Sequence, residues 1–184
     1  MNILIVSQYY WPENFRINEL SKELVKLGNN VTVLTGLPNY PEGKIYKGFS
    51  KNKSDFQFYN GVNIIRVPII PRKKGKFNLL INYISFTFSA CFFGIIKILN
   101  KNFDLLFVFQ TSPVTIGIPS TLISKIKKIP QVFWVLDIWP ETLKSVGINN
   151  STVIFLTKLL VNNIYKNCDL VLAQSRSFEN NIKK

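Results

Sequence analysis

Apolar residues form short continuous runs that alternate with longer amphipathic segments along the chain. Each run is four to six residues long, which is typical of a buried strand rather than a helix. Strands that alternate with helices form parallel sheets whose two faces are covered. The pattern therefore predicts an α/β fold with a doubly wound parallel sheet and flanking helices. The predicted strands are Asn2–Val6, Val31–Leu34, Val62–Val67, Asp104–Phe109, Gln131–Leu136 and Leu170–Ala173.

The segment between the first two runs predicts an amphipathic helix that completes a right-handed βαβ unit. We expect Asn14 to cap this helix and Gly28 to end it. Its apolar residues recur with the helical period at Ile17, Leu20, Leu24 and Leu27. Further helices are predicted at Val114–Lys127, at Ser151–Lys166 and from Ser175 onward. Pro119 is expected to kink or break the first of these three.

The dipeptide Asn60-Gly61 stands between two strand-like runs, Phe56–Tyr59 and Val62–Val67. This is a strong local signal for a two-residue hairpin turn. We therefore expect a β-hairpin insertion after the loop-rich stretch Thr35–Asn60.

The twenty residues Phe77–Ile96 contain no charged side chain. Their length alone is sufficient for a membrane span. Their Asn, Ser and Thr side chains would need partners in lipid, and basic residues on both flanks favour neither orientation. Three structures remain open: a helix buried against the sheet, a helix lying on the bilayer, and a true span, against which the polar side chains argue.

The formal net charge is +13, and most of it lies in the later part of the chain. Residues 1–71 carry eight basic and five acidic side chains, whereas residues 72–184 carry fifteen and five. A basic surface suits nucleic acid, anionic lipid or a phosphorylated substrate, although scattered lysines also serve solubility alone. The chain has no histidine, which removes the most common general base and metal ligand.

The two cysteines, Cys91 and Cys168, are far apart in the sequence and indicate neither a disulfide framework nor a zinc site. The first apolar run is too short for the core of a signal peptide, and no basic residue precedes it. Together these features predict a protein of the reducing cytosol.

Polar and aromatic residues follow the predicted parallel strands at the points where the strands end. The loops after parallel strands share one sheet edge, where such folds bind ligands. Aromatic faces pack on sugar rings, and carboxylates and amides bond to hydroxyls, so we expect a site for a polar, ring-shaped ligand. For the segment WVLDIWPETL, the alternative to ligand binding is a structural role, in which Asp137 caps a turn and Trp139 packs in the core. The candidates are Tyr9, Tyr10, Trp11, Glu13, Asn39, Tyr40, Glu42, Gln110, Ser112, Asp137, Trp139 and Glu141.

Several chemistries with known motifs are disfavoured. The turn after the first strand, SQYYWPEN, lacks the glycines of a dinucleotide-binding fingerprint. The sequence has no P-loop, G-x-S-x-G, C-x-x-C, H-E-x-x-H or D-x-D pattern. The basic segments lack interleaved aromatics, and no helix-turn-helix or RNP pattern is evident, so we expect no nucleic-acid partner.

Three segments resemble the N-terminal half of GT-B-fold glycosyltransferases of family 4: MNILIVSQYYWPE, TGLPNYPEGKIY and VLDIWPETL. The resemblance covers essentially the whole chain. It is greatest to bacterial transferases of O-antigen (lipopolysaccharide), capsule and colanic-acid synthesis, including L-fucosamine transferases. Because a GT-B enzyme has two Rossmann-like domains, the resemblance implies that residues 1–184 form the acceptor-side half of that architecture. The donor-binding domain is then missing from this sequence.

The resemblance implies transfer of a sugar from a nucleotide-sugar, most simply a UDP-sugar, to a polyprenyl-diphosphate-linked acceptor. In this family the transfer retains the anomeric configuration and needs neither a metal nor another cofactor. The location implied is cytoplasmic, peripheral to the inner face of the cytoplasmic membrane. Residues 72–101, a basic cluster followed by an apolar helix, are the predicted membrane-associated region. The predicted membrane contacts are Arg72, Lys73, Lys74 and Lys76.

Asp137 and Glu141 are the predicted catalytic residues, and the alternative is that the donor phosphate itself takes the acceptor proton. Many relatives place a histidine near the donor sugar, whereas this chain has none. The predicted substrate-binding residues are Trp11, Glu13, Asn39, Tyr40, Glu42, Gln110, Ser112 and Trp139. Three other functions remain open: an acceptor-binding fragment without transferase activity, a scaffold anchored by Phe77–Ile96, and a small-molecule binding domain of another Rossmann-like family.

Overall fold

The computed structural model describes residues 1–145 and 147–182. These residues form an α/β domain around a sheet with strand order β3-β4-β2-β1-β5-β6-β7, in which the pairs are parallel except for β3 with β4. The strands are β1 (Asn2–Val6), β2 (Asn30–Gly36), β3 (Phe58–Tyr59), β4 (Val62–Val67), β5 (Leu105–Gln110), β6 (Gln131–Val135) and β7 (Leu170–Ala173). The helices are α1 (Arg16–Lys26), α2 (Lys47–Lys51), α3 (Lys76–Ser89), α4 (Ile95–Ile98), α5 (Gly117–Lys127), α6 (Glu141–Ser145), α7 (Ser151–Lys166) and α8 (Arg176–Ile182). The predicted doubly wound, Rossmann-like α/β fold is confirmed.

Alternate side chains of each central strand enter two separate hydrophobic cores. Ile3 and Ile5 of β1 pack in the core that contains Ile17 of α1. Leu4 and Val6 pack in the core on the other face, with residues of α3, α4, α5 and α7. Burial on both faces explains why these strands read as continuous apolar runs rather than alternating ones.

The start of α1 differs from the prediction, because Asn14 does not cap it. Phe15 takes the cap position without a side-chain hydrogen bond. Asn18 organises this turn instead: its amide donates to the Glu13 carbonyl at 2.7 Å and accepts from the Trp11 N–H at 3.2 Å. The side chain that stabilises the loop therefore comes from inside the helix.

The end of α1 is partly as expected. Gly28 follows the last turn with φ of +82°, a conformation that glycine adopts without strain. Leu27, which the periodicity placed on the buried side, is 77 % exposed. Leu27 is exposed because it lies just past the last helical residue and no longer follows the helical period.

The predicted hairpin is present, with positive φ at both Asn60 and Gly61. Its second strand, β4, is also the parallel neighbour of β2, so the hairpin extends the main sheet and only β3 is added in antiparallel orientation.

Pro119 does not break a helix. A single 3₁₀ turn, Val114–Ile116, leads into α5 at Gly117, so Pro119 lies in the first turn. At that position a backbone N–H has no partner within the helix, and proline is tolerated there.

The uncharged segment forms α3, a π-helical turn at Ala90–Gly94, and α4, which continue one another. One side packs on the sheet: Phe86, Ala90 and Ile98 are fully buried or nearly so. Among the described residues, Lys76–Ile98 is the helix long and apolar enough to cross a membrane, with a mean hydropathy of 1.9. The core helices of soluble proteins meet the same criterion, and the packing observed is that of a helix against the sheet.

We predict that Phe86→Ala lowers the free energy of unfolding by about 3–5 kcal/mol, because it empties a fully buried site between α3 and the sheet. The matched control is Phe88→Ala in the same helix. Phe88 is 73 % exposed, so its change is expected to stay within about 0.5 kcal/mol. Urea unfolding followed by circular dichroism measures both, and equal losses would contradict this packing.

Candidate functional site at the carboxyl edge of the sheet

The chain order reverses between β1 and β5, which are neighbours in the sheet. The loops that follow these two strands diverge there, and ligands of open α/β sheets bind in the crevice that results. Gln8 and Gln110 stand at the two strand ends. Both are buried, and the side-chain carbonyl oxygen of each has no hydrogen-bond partner among the described residues.

Asn82 of α3 anchors that helix over the end of β1. Its side-chain carbonyl accepts from the Gln8 amide at 2.8 Å and from the Tyr9 hydroxyl at 3.1 Å. Its own amide donates to the Ile70 carbonyl at 2.6 Å. The Ser85 hydroxyl accepts from the Ile70 N–H at 3.0 Å. The segment before α3 is therefore held against the helix through both the N–H and the carbonyl of Ile70.

Arg72 follows in that segment and lies over the ring of Tyr40, with 5.4 Å between the guanidinium carbon and the ring centroid. Its backbone N–H donates to the Asn39 side chain at 2.7 Å. Gly43 makes this approach possible: a Cβ there would come within 2.0 Å of the Arg72 carbonyl oxygen. A loop after β2 and the segment after β4 thus position one cation at the sheet edge.

Asp137 enters from the loop after β6. It accepts a hydrogen bond from the Ser112 hydroxyl at 2.5 Å, which joins the loops after β5 and β6. Burial raises the pKa of Tyr83, Arg72 opposes the rise, and Asp137 and Tyr40 add to it. We call Tyr9, Tyr40, Arg72, Tyr83, Ser112 and Asp137 the carboxyl-edge cluster.

The carboxyl-edge cluster combines one cation, one carboxylate and several hydroxyls. Burial raises the pKa of Tyr9 far above its usual range, although Arg72 lies close enough to oppose the rise. The Tyr9 and Tyr83 phenols therefore stay protonated at neutral pH, and the Tyr9 hydroxyl donates a hydrogen bond to Asn82. Tyr40 is 41 % exposed, so a ligand can reach its ring. Such a set can bind an anionic group at Arg72 and hydroxyls at Asp137.

Glu13 and Asn39, both predicted to bind substrate, are fully engaged within the protein. One Glu13 oxygen accepts from the backbone N–H groups of Asn39 and Tyr40, each at 2.7 Å, and the other accepts from Tyr10 at 3.1 Å. Burial raises the pKa of Glu13, and these three donors oppose the rise. Asn39 bonds to Leu37 and to Arg72. Both side chains hold the loops that carry the cluster.

Three more residues that were predicted to bind substrate, Trp11, Gln110 and Trp139, pack within the protein. Trp11 stacks on Phe56 and Tyr59, with ring centroids 4.9 Å and 4.6 Å away. Gln110 is completely buried. Trp139 packs against the core below α3 and α5, as the structural alternative expected, and its indole N–H is buried without an acceptor among the described residues. Asp137 bonds to Ser112 rather than capping a turn.

Glu42 and Glu141 are exposed. Glu141 begins α6, and its charge adds to the rise that burial causes in the pKa of the half-buried Tyr165 phenol. The structure shows no contact between Glu141 and the carboxyl-edge cluster. Of the two predicted catalytic residues, Asp137 alone lies in it.

Arg72 was grouped in the sequence with the basic residues that follow it, but the structure separates them. Lys73, Lys74 and Lys76 are exposed near the start of α3, whereas Arg72 is half-buried over Tyr40. Tyr83 was missed altogether. The available signal was the pair Asn82-Tyr83 in a segment without charged residues, since buried polar groups need specific partners.

A cleft of about 870 Å³ lies at a different place, beside β4 and α2. It is lined by Phe49, Arg66, Lys97 and neighbouring residues, and by none of the predicted site residues. The Arg66 guanidinium is already bonded to the Gly36 and Trp11 carbonyls. We assign the candidate site to the carboxyl edge because the buried polar network and the switch in strand order coincide there.

A scan against protein-family models found no matching family, and a search of curated proteins found no match. The class of protein therefore follows from the fold and the geometry alone: a Rossmann-like α/β domain with a polar and aromatic cluster at the carboxyl edge of its sheet.

We predict that Glu13→Ala lowers the free energy of unfolding by about 3 kcal/mol or more, because three buried N–H groups lose their acceptor. The exposed Glu42 provides the control, and Glu42→Ala is expected to change it by less than about 0.5 kcal/mol. Thermal and urea unfolding of both variants measure this. A Glu13→Ala protein as stable as the parent would contradict the structural role of Glu13 and favour a role in ligand binding.

Proposed function

We propose that this chain is the acceptor-side half of a GT-B glycosyltransferase. The enzyme transfers a sugar from a nucleotide-sugar, most simply a UDP-sugar, to a polyprenyl-diphosphate-linked glycan of a bacterial surface polysaccharide at the inner face of the cytoplasmic membrane. The observation that carries the proposal is the carboxyl-edge cluster, in which Arg72, Tyr40 and Asp137 all lie close enough to Tyr83 to influence its pKa, beside the switch in strand order.

The chemistry of the cluster suits a glycan carried on a diphosphate. An arginine binds phosphate oxygens with charge-assisted hydrogen bonds. The exposed ring of Tyr40 offers an apolar face for a sugar ring. Asp137, already an acceptor for Ser112, has the capacity to accept a further bond from a sugar hydroxyl.

In the proposed reaction the acceptor oxygen bonds to the anomeric carbon of the donor sugar as the bond from that carbon to the diphosphate breaks. The electron pair of the broken bond leaves with the nucleoside diphosphate. The acceptor proton passes to Asp137 or to the departing phosphate. The main contribution of this domain is to hold the acceptor hydroxyl on the face of the donor sugar from which the diphosphate departs, because the transfer retains the anomeric configuration.

A second candidate function is acceptor binding without transfer. It is favoured because Arg72 is the single cation of the cluster. Transfer requires positive charge both for the acceptor diphosphate and for the departing nucleoside diphosphate, and one arginine does not supply both. Binding of a glycosyl diphosphate with no transfer from any nucleotide-sugar would support this second function.

We predict that Arg72→Met weakens binding of a water-soluble farnesyl-diphosphate-linked N-acetylglucosamine by about tenfold or more, because the charge-assisted bonds to phosphate are lost. The control is Arg16→Met, since Arg16 is an exposed arginine at the start of α1. Isothermal titration calorimetry measures both affinities. Equal affinities in the two variants, or no binding to the parent, would rule out this acceptor site.

In a two-domain enzyme that joins this chain to a donor-binding domain, we predict that Asp137→Asn lowers the rate of sugar transfer to that acceptor by about 100-fold, in the range of a lost general base. Glu141→Gln is expected to stay within a few-fold of the parent because Glu141 has no contact with the cluster. Transfer of radiolabelled sugar from UDP-sugars measures both rates. An Asp137→Asn protein with undiminished transfer would leave the donor phosphate as the proton acceptor.

A further inference from the structure

The outward side of the long helix is apolar along its whole length. Leu80, Ile84, Phe88, Phe92 and Ile96 point away from the sheet and are between 42 % and 73 % exposed. Monomeric soluble proteins rarely expose contiguous apolar surface on this scale, and such surfaces mark interaction sites.

The π-helical turn at Ala90–Gly94 keeps this stripe on one side. Four residues of α-helix advance about 400°, so positions spaced by four drift by about 40° at each step. A π-helical turn holds more residues and therefore offsets the drift. The buried side has the same spacing, at Phe86, Ala90 and Gly94, where a Cβ on Gly94 would come within 3.0 Å of Leu34.

Helix α5 continues the apolar surface beside α3. The Thr87 hydroxyl of α3 donates to the Thr115 hydroxyl just before α5, at 3.0 Å. Ile118, Leu122 and Ile126 of α5 are exposed, while its other side packs in the core.

Helix α7 extends the same layer. It lies against α5 so closely that a Cβ on Gly117 would come within 2.5 Å of Ile164. Its outward residues Phe155, Leu156 and Leu159 are between 50 % and 59 % exposed. The outward sides of α3, α4, α5 and α7 together form what we call the helical-layer surface.

The charged residues within the four helices of the helical-layer surface are all of one sign. None of its four helices contains an acidic residue. Lysines stand within or at the ends of each helix, at Lys76, Lys97, Lys125, Lys127, Lys158 and Lys166. An apolar surface bordered by cations complements the acyl chains and anionic headgroups of a bilayer.

We propose that the helical-layer surface binds the protein to an anionic lipid bilayer, with the helices lying in the interface and not crossing it. A crossing would pull Asn82 away from Gln8, Tyr9 and Ile70 and leave their polar groups unpaired. A second copy of the chain is a poorer occupant, since both copies carry a net charge of +13. Membrane binding through the helical-layer surface does not require sugar transfer.

The test places an environment-sensitive nitrobenzoxadiazole dye on single cysteines in a Cys91→Ala/Cys168→Ala background. Phe88→Cys, Leu122→Cys and Leu159→Cys report on α3, α5 and α7. Leu27→Cys, exposed at the end of α1 on the opposite face, is the control. With phosphatidylglycerol-containing vesicles, the emission of the first three is expected to shift to the blue and that of the control to stay unchanged. Added salt is expected to weaken the response.

Three results would overturn the proposal: no shift at the three positions, the same shift at Leu27→Cys, or a shift without vesicles that grows with protein concentration. A shift at Phe88→Cys alone would show that α5 and α7 do not contact the bilayer and would reject the helical-layer surface as the binding site. Unlabelled protein gives a second readout, since Phe88→Asp/Phe92→Asp is expected to lower vesicle flotation by about tenfold and Leu27→Asp is not. Resistance to alkaline carbonate extraction would indicate a span instead.

Discussion

The structure depends on one buried amide, that of Asn82 in α3. It joins three elements: Gln8 and Tyr9 after β1, the segment before α3 through Ile70, and α3 itself. Gln8, Tyr9 and Asn82 are buried, so a displaced Asn82 would leave several buried polar groups without partners. The amide thereby fixes both the position of α3 along the sheet and the side that it turns toward the core.

Both proposed surfaces follow from that orientation. With Asn82 turned inward, Tyr83 faces Arg72 and Asp137, and the segment that carries Arg72 is held over Tyr40. The opposite side of the same helix, at Ile84 and Phe88, is left facing outward. This helix exposes apolar residues on its outward side as well as burying them against the sheet, unlike an ordinary surface helix. A ligand site and a lipid-facing surface would then lie on two sides of one element.

The strands, the hairpin and the α/β class could be predicted because they depend on local patterns: short apolar runs and an Asn60-Gly61 turn. The site could be predicted only as a location. Glu13 was predicted to contact a ligand because the sequence does not show which carboxylates accept hydrogen bonds from backbone N–H groups of a loop 26 residues away. Arg72 looked like the first of a lysine cluster, since only the fold brings Asn39 and Gly43 against it. Long-range contacts of this kind leave no periodic signal in the sequence.

Hydrogen exchange of the α3 amides tests the role of Asn82 most directly. The experiment compares the parent with Asn82→Leu and with Asn78→Leu, since the Asn78 amide donates to the Lys74 carbonyl one turn away. If Asn82 anchors the helix, exchange across α3 accelerates strongly in Asn82→Leu alone, while β1 and β5 stay protected. Equal protection of α3 in all three proteins would show that apolar packing holds the helix without the amide, and would contradict this account.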